Sequence, residues 1–71
     1  MSQPTPDAMV RKNIVPGLRV LVVRKEDQRS GKTTEGLVQA ILTSAARHTR
    51  GIKVRLEGGV VGRVCVILGP A

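Results

Sequence analysis

Few side chains in this sequence have the type and spacing that bond-making chemistry requires. Nucleophilic catalysis needs a nucleophile, a base and a group that orients the base, and the chain holds a single Cys, Cys65, and a single His, His48. Cys65 stands in an apolar run, where a free thiol is expected to be buried as a small hydrophobe. His48 stands in a polar, basic stretch, so the two are not expected to form a dyad. One Cys and one His also cannot furnish the four soft ligands of a tetrahedral zinc site. Gly31-Lys32-Thr33-Thr34 ends like the phosphate-binding pattern G-x-x-x-x-G-K-[ST], but Glu26 occupies the place of the first glycine. The residues that follow read as a strand, not as the helix whose N-terminus would hold the phosphate. Glu26 and Asp27 lie among Arg24, Lys25 and Arg29 and read as part of a charge-balanced loop. No enzyme, cofactor or metal site is predicted.

Cations are what the chain has in excess. Twelve Lys and Arg against five Asp and Glu give a net charge of +7, enough to attract polyanions across a Debye length. Arg outnumbers Lys, and its planar fork suits bidentate contact with phosphate. Phe, Tyr and Trp are absent, which removes the base-stacking platforms that many single-strand readers use. Nine of the twelve cations fall in three groups. Arg24, Lys25, Arg29 and Lys32 bracket one polar loop, Arg47 and Arg50 a second, and Lys53, Arg55 and Arg63 project from a final hairpin. Should the two loops share one end of the fold, these nine residues would make one positive surface; spread evenly, they would form only a solubilising coat. Asp27, Gln28 and Gly31 are expected to belong to an ordered functional loop, because a glycine beside amide and cationic donors lets a ligand approach the backbone. The expected activity is non-enzymatic binding of structured RNA or a ribonucleoprotein such as the ribosome through phosphate contacts. The alternative is a protein-interaction module that uses a sheet edge or a basic loop, with no nucleic acid.

The elements that must hold these residues read as strands. A chain of 71 residues makes one small domain with a modest core. Residues 1–13, with Pro4, Pro6 and Asp7, show no sustained periodicity and are expected to be a flexible arm; residues 14–71 form the domain. Two-residue alternation predicts strands near 18–25, 35–43, 52–57 and 60–68. Residues 35–43 also fit a helical spacing through Leu37, Ala40, Ile41 and Ser44, with Thr33 or Thr34 as cap. Gly36 speaks against that helix, and a strand covered on both faces is preferred. Gly58 and Gly59 suit a tight hairpin turn, and Gly62 suits a bend or bulge. Val20, Val22, Val38, Ile52, Val54, Leu56 and Val64 are the expected core. The fold class is all-β, a small SH3-like barrel or roll of four to five short antiparallel strands that curls to remove its edges. The absence of an apolar run of membrane-spanning length and of a leader-like pattern in residues 1–10 leads to the expectation of a cytoplasmic protein without a membrane partner.

In Pro16-Gly17-Leu18, Asp27-Gln28-Arg29 with Gly31-Lys32, Thr34 and Gly36, Ile41-Leu42-Thr43, Gly51-Ile52-Lys53-Val54-Arg55-Leu56, and Val61-Gly62-Arg63-Val64, the chain resembles the small bacterial YwbE-like proteins. It departs from that pattern at Thr33, where an apolar residue is expected, and at Thr49, where a proline often follows the histidine. The resemblance implies a one-domain bacterial protein and carries no activity with it. A looser similarity links residues 17–41 to KOW-type SH3-like modules of ribosomal and transcription proteins, which implies RNA binding by analogy of fold alone.

Overall fold

The computed structural model describes residues 7–70. Four strands follow one another, β1 (Leu18–Val23), β2 (Thr34–Ile41), β3 (Lys53–Leu56) and β4 (Val61–Pro70), and they close into an antiparallel barrel in which β4 pairs with both β3 and β1. Two 3-10 turns, Arg11–Asn13 and Lys25–Asp27, are the only helical elements among the described residues. Every strand therefore has a neighbour on each side, and the barrel solves the edge problem of a short meander by closure. The all-β barrel expected from the alternation is the fold observed.

The core is aliphatic. Ile14, Val20, Val22, Val38, Ile52, Val54, Leu56, Val64 and Ile67 are buried, with Ala8, Leu18, Ile41 and Val60 packed against them. All seven residues expected inside are inside; Ile14 and Ile67 join them. Each such side chain contributes roughly 1.5 to 3 kcal/mol when taken fully out of water.

The strands keep strict alternation only in part. On β2, Val38 faces Leu56 and Ala40 faces Arg55, so Gln39 and Ala40 together oppose one residue. Such a bulge reverses the facing of everything after it. Val38 is buried, Gln39 is exposed, and Ile41 rather than Ala40 turns back to the core, opposite Val54. The expectation that residues 35–43 are covered on both faces is thus corrected: the bulge joins two one-sided registers, the segment is a one-sided strand, and Leu42 is exposed. On β4 the register against β1 shifts between Val64 and Val66, which oppose Val22 and Leu21. Cys65 is the residue squeezed out. The expectation of a buried thiol is likewise corrected, since Cys65 is exposed and its Sγ donates to the Leu21 carbonyl at 3.3 Å.

Of the segment read as a flexible arm, residues 1–6 lie outside the described residues. Residues 7–13 run along the barrel and are hydrogen-bonded to it: the Ile52 amide donates to Ala8 O (3.0 Å), the His48 amide to Met9 O (2.9 Å) and the Arg11 amide to Ala46 O (2.9 Å). Val10 bridges to Arg47, and the chain then delivers Ile14 into the core.

Glycine permits the tightest crossing. Gly51 has a φ of 97°, and a Cβ placed on it would collide with the Val64 carbonyl oxygen. The hairpin glycines Gly58 (φ 98°) and Gly59 (φ 94°) have open space where a Cβ would stand. Gly58→Ala is therefore expected to cost the backbone strain alone, about 1 kcal/mol, and Gly51→Ala at least about 2 to 3 kcal/mol, because strain and steric conflict combine. Urea titrations of both variants check this, and equal midpoints would contradict it.

Candidate functional site

The loop between β1 and β2 is built around one buried carboxylate. Asp27 ends the 3-10 turn Lys25–Asp27 and accepts from Arg24 Nε at 3.0 Å, while Glu26 lies 3.8 Å from the same guanidinium. The hydrogen bond to Asp27, followed by the charges of Glu26 and Asp27, pushes the Arg24 pKa further above its ordinary value. The Asp27 carbonyl accepts from the Gly31 amide (2.8 Å) and the Ser30 hydroxyl (3.3 Å), and Ser30 Oγ accepts from the Lys32 amide (3.3 Å). Residues 24–32 are thereby a braced loop with Gln28, Arg29, Gly31 and Lys32 exposed on it. Asp27 itself points inward and anchors the loop.

The loop between β2 and β3 turns back on itself at residues 48–51. The Gly51 amide donates to His48 O (3.0 Å), and His48 Nδ1 accepts from the Arg50 amide (3.1 Å). His48 and Cys65 share no hydrogen bond among the described residues. Thr43 ties the start of this loop to β3, its Oγ1 accepting from the Lys53 amide at 2.8 Å. Arg11 reaches the same place, donating through Nε to the Thr43 carbonyl at 3.0 Å.

Simple up-and-down topology would put these loops at opposite ends of the barrel, yet they meet at its side. The reason lies in β4. Arg63 is the partner of Lys53 on β3 and of Val23 on β1, so three strands present one row across the outer surface. Gly62 lets β4 press against the end of β1, since a Cβ there would stand 2.9 Å from the Val23 carbonyl. Arg63 then donates to the Gly51 carbonyl at 3.1 Å and draws the second loop onto the row. Two adjoining depressions result. One is lined by Val23, Gln28, Arg50 and Arg63; the other shares Val23, Gln28 and Arg63 and adds Lys25, Glu26, Lys53, Val61 and Gly62. A third groove continues from Arg50 past Thr49 to Met9 and Cys65.

Four of the five acidic residues are paired with other cations. Asp7 pairs with Arg47 (3.7 Å), Glu35 with Arg19 (3.1 Å), and Glu26 and Asp27 with Arg24. Among the described residues no carboxylate lies within 4 Å of Lys25, Arg50, Lys53 or Arg63, nor of Arg29, Lys32 or Arg55. The nine cations singled out from the sequence therefore divide. Lys25, Arg50, Lys53 and Arg63 converge on the groove, and Arg55 stands two residues from Lys53 on the same outer face of β3. Arg29 and Lys32 occupy the tip of the first loop, and Arg24 and Arg47 are engaged in ion pairs. Arg11, which the sequence places in the arm, is a cation of the second loop that only its contact with Thr43 reveals. No cluster of three His, Cys, Asp or Glu that could hold a metal ion occurs among the described residues, and none of their helices is long and apolar enough to cross a membrane.

Residues 7–67 match a family described as "Uncharacterized conserved protein (DUF2196)". The chain belongs to this family. It is similar to "Uncharacterized protein YwbE" of Bacillus subtilis (strain 168), with 53% identity over 53 residues that span 75% of this chain and 82% of that protein. No solved structure matches it significantly. The stretch matched to the DUF2196 family takes in every residue of the groove, from Val23 to Arg63, together with the docked segment from residue 7 onward.

Because Asp27 holds the first loop from inside, Asp27→Ala is expected to raise fast backbone motion across residues 24–32 and to leave β3 and β4 unchanged. Heteronuclear NMR relaxation on wild type and variant checks it; an equally rigid loop in the variant would show that Asp27 does not brace it.

Proposed function

We propose that this chain is a non-enzymatic, cytoplasmic binding module that holds structured RNA, free or in a ribonucleoprotein such as the ribosome, by its phosphates. The observation that carries the reading is the convergence of Lys25, Arg50, Lys53 and Arg63, from two loops and two strands, on one groove with no carboxylate paired to any of them. The one carboxylate that lines it, Glu26, lies against Arg24 at 3.8 Å, so the four cations repel one another, and a polyanion relieves that repulsion while its condensed counterions are released. The groove has no aromatic side chain, so contacts to backbone phosphate and sugar dominate over base stacking. Closure of the barrel supports the same reading against the alternative, because the described strands offer no free edge on which a partner strand could add. A protein partner retains the exposed apolar strip of β4, Val66 and Leu68, and basic loops as its surfaces.

The test is a titration with an RNA hairpin at several salt concentrations. Affinity is expected to fall steeply with salt, and Arg50→Ala and Lys53→Ala, both exposed, are each expected to reduce the slope by roughly 0.7 to 0.9. Arg24→Ala and Arg47→Ala remove cations already paired within the chain and are expected to change the slope far less. Salt-insensitive binding, or equal slopes for all four variants, would transfer preference to a protein partner.

A further inference from the structure

We propose that Gln28 reads the ribose 2′-hydroxyl of a strand seated in the groove, making the site selective for RNA over other polyanions; this rests on the phosphate-binding reading above. Gln28 lines both adjoining depressions, as do only Val23 and Arg63. The polar side chains around it are one-sided. Lys25, Arg50, Lys53 and Arg63 can only donate hydrogen bonds, and Glu26 is a carboxylate already 3.8 Å from Arg24. A Gln amide both donates and accepts, as a 2′-hydroxyl does. Gln28 is thus the one neutral side chain in these depressions that complements the hydroxyl in both senses.

Its position suits that task. Gln28 caps the 3-10 turn Lys25–Asp27 with αR backbone geometry, and its amide donates to the Lys25 carbonyl at 3.4 Å. The neighbouring Asp27 is buried and paired with Arg24, so the base from which the Gln28 side chain extends is anchored. Val23, half-buried beside it, offers an apolar wall for the carbon face of a sugar. Arg50 and Arg63 supply donors for the phosphates on either side of that sugar. A deoxyribose strand would keep the phosphate contacts and lose the one to Gln28.

The experiment compares two hairpins of one sequence, an unmodified RNA and one with 2′-fluoro groups throughout its stem. The fluoro form keeps the A-form geometry and the phosphates but has no hydroxyl donor. Wild type is expected to bind the unmodified hairpin about two- to tenfold more tightly, the span of one net hydrogen bond. Gln28→Met, similar in length and without the amide, is expected to bind both hairpins alike, at the wild-type affinity for the fluoro form; Gln28→Ala gives the same comparison without the bulk of Met. Gln28 is exposed, so both variants are expected to fold, which their amide spectra check. Equal wild-type affinity for the two hairpins, or a preference that survives in both variants, overturns the assignment of Gln28 while salt-dependent binding leaves the phosphate reading standing. Absence of binding to either hairpin at low salt overturns both.

Discussion

The passage of Gly51 against the carbonyl of Val64 is the contact on which the rest of the molecule depends. Only a residue without a Cβ can lie there, and from that point four consequences spread. Ile52 enters the core, and its carbonyl accepts from the Val64 amide at 2.9 Å. The Ile52 amide donates to Ala8 O, which fastens the segment from residue 7 onward to the barrel. The Gly51 carbonyl accepts from Arg63. Arg50 is left beside Arg63 at the groove. Backbone packing thus places the second loop, and with it a cation that strand topology alone would have sent to the far end.

The aliphatic alternation makes the barrel legible in the sequence: Val20 with Val22, and Ile52, Val54 and Leu56, point inward as the two-residue period requires. What stays hidden depends on irregularities that no local pattern announces. Ile67 falls out of phase with Val64 because the bulge at Cys65 inserts one residue, and the same insertion turns Cys65 outward. Ile14 is not among the residues that the alternation places inside, since its burial is decided by residues 7–13 crossing the barrel and not by any period of its own. For the groove, the cations are visible in the sequence but their pairing is not. Arg24 and Arg50 are alike in composition terms, yet one is bound by Asp27 and the other has no carboxylate partner among the described residues. That difference arises from contacts within folded loops, and so does the meeting of Gln28, on the first loop, with Arg63 on the last strand.

The distribution of charge follows from the same geometry. Arg19, Arg24 and Arg47 hold carboxylates near the loops and strands that they brace, and the four cations of the groove are among those left without a carboxylate within 4 Å among the described residues. Exposed ion pairs contribute little to stability; their main effect here is on where an anion is attracted. An aliphatic barrel of this size, without aromatic side chains, offers a rigid cationic relief and little else for a ligand to stack on. On the proposed reading, shape and phosphate spacing carry recognition, with Gln28 as the neutral contact among them.

The most direct test of the convergence at Arg63 is a map of amide chemical shifts of the full chain during titration with an RNA hairpin at low salt. The proposed groove requires residues 25–28, 50–53 and 61–63 to shift together with a single affinity, while Val66 and Leu68 stay in place. Shifts confined to the outer face of β1 and β4, or separate affinities for the two loops, would contradict it.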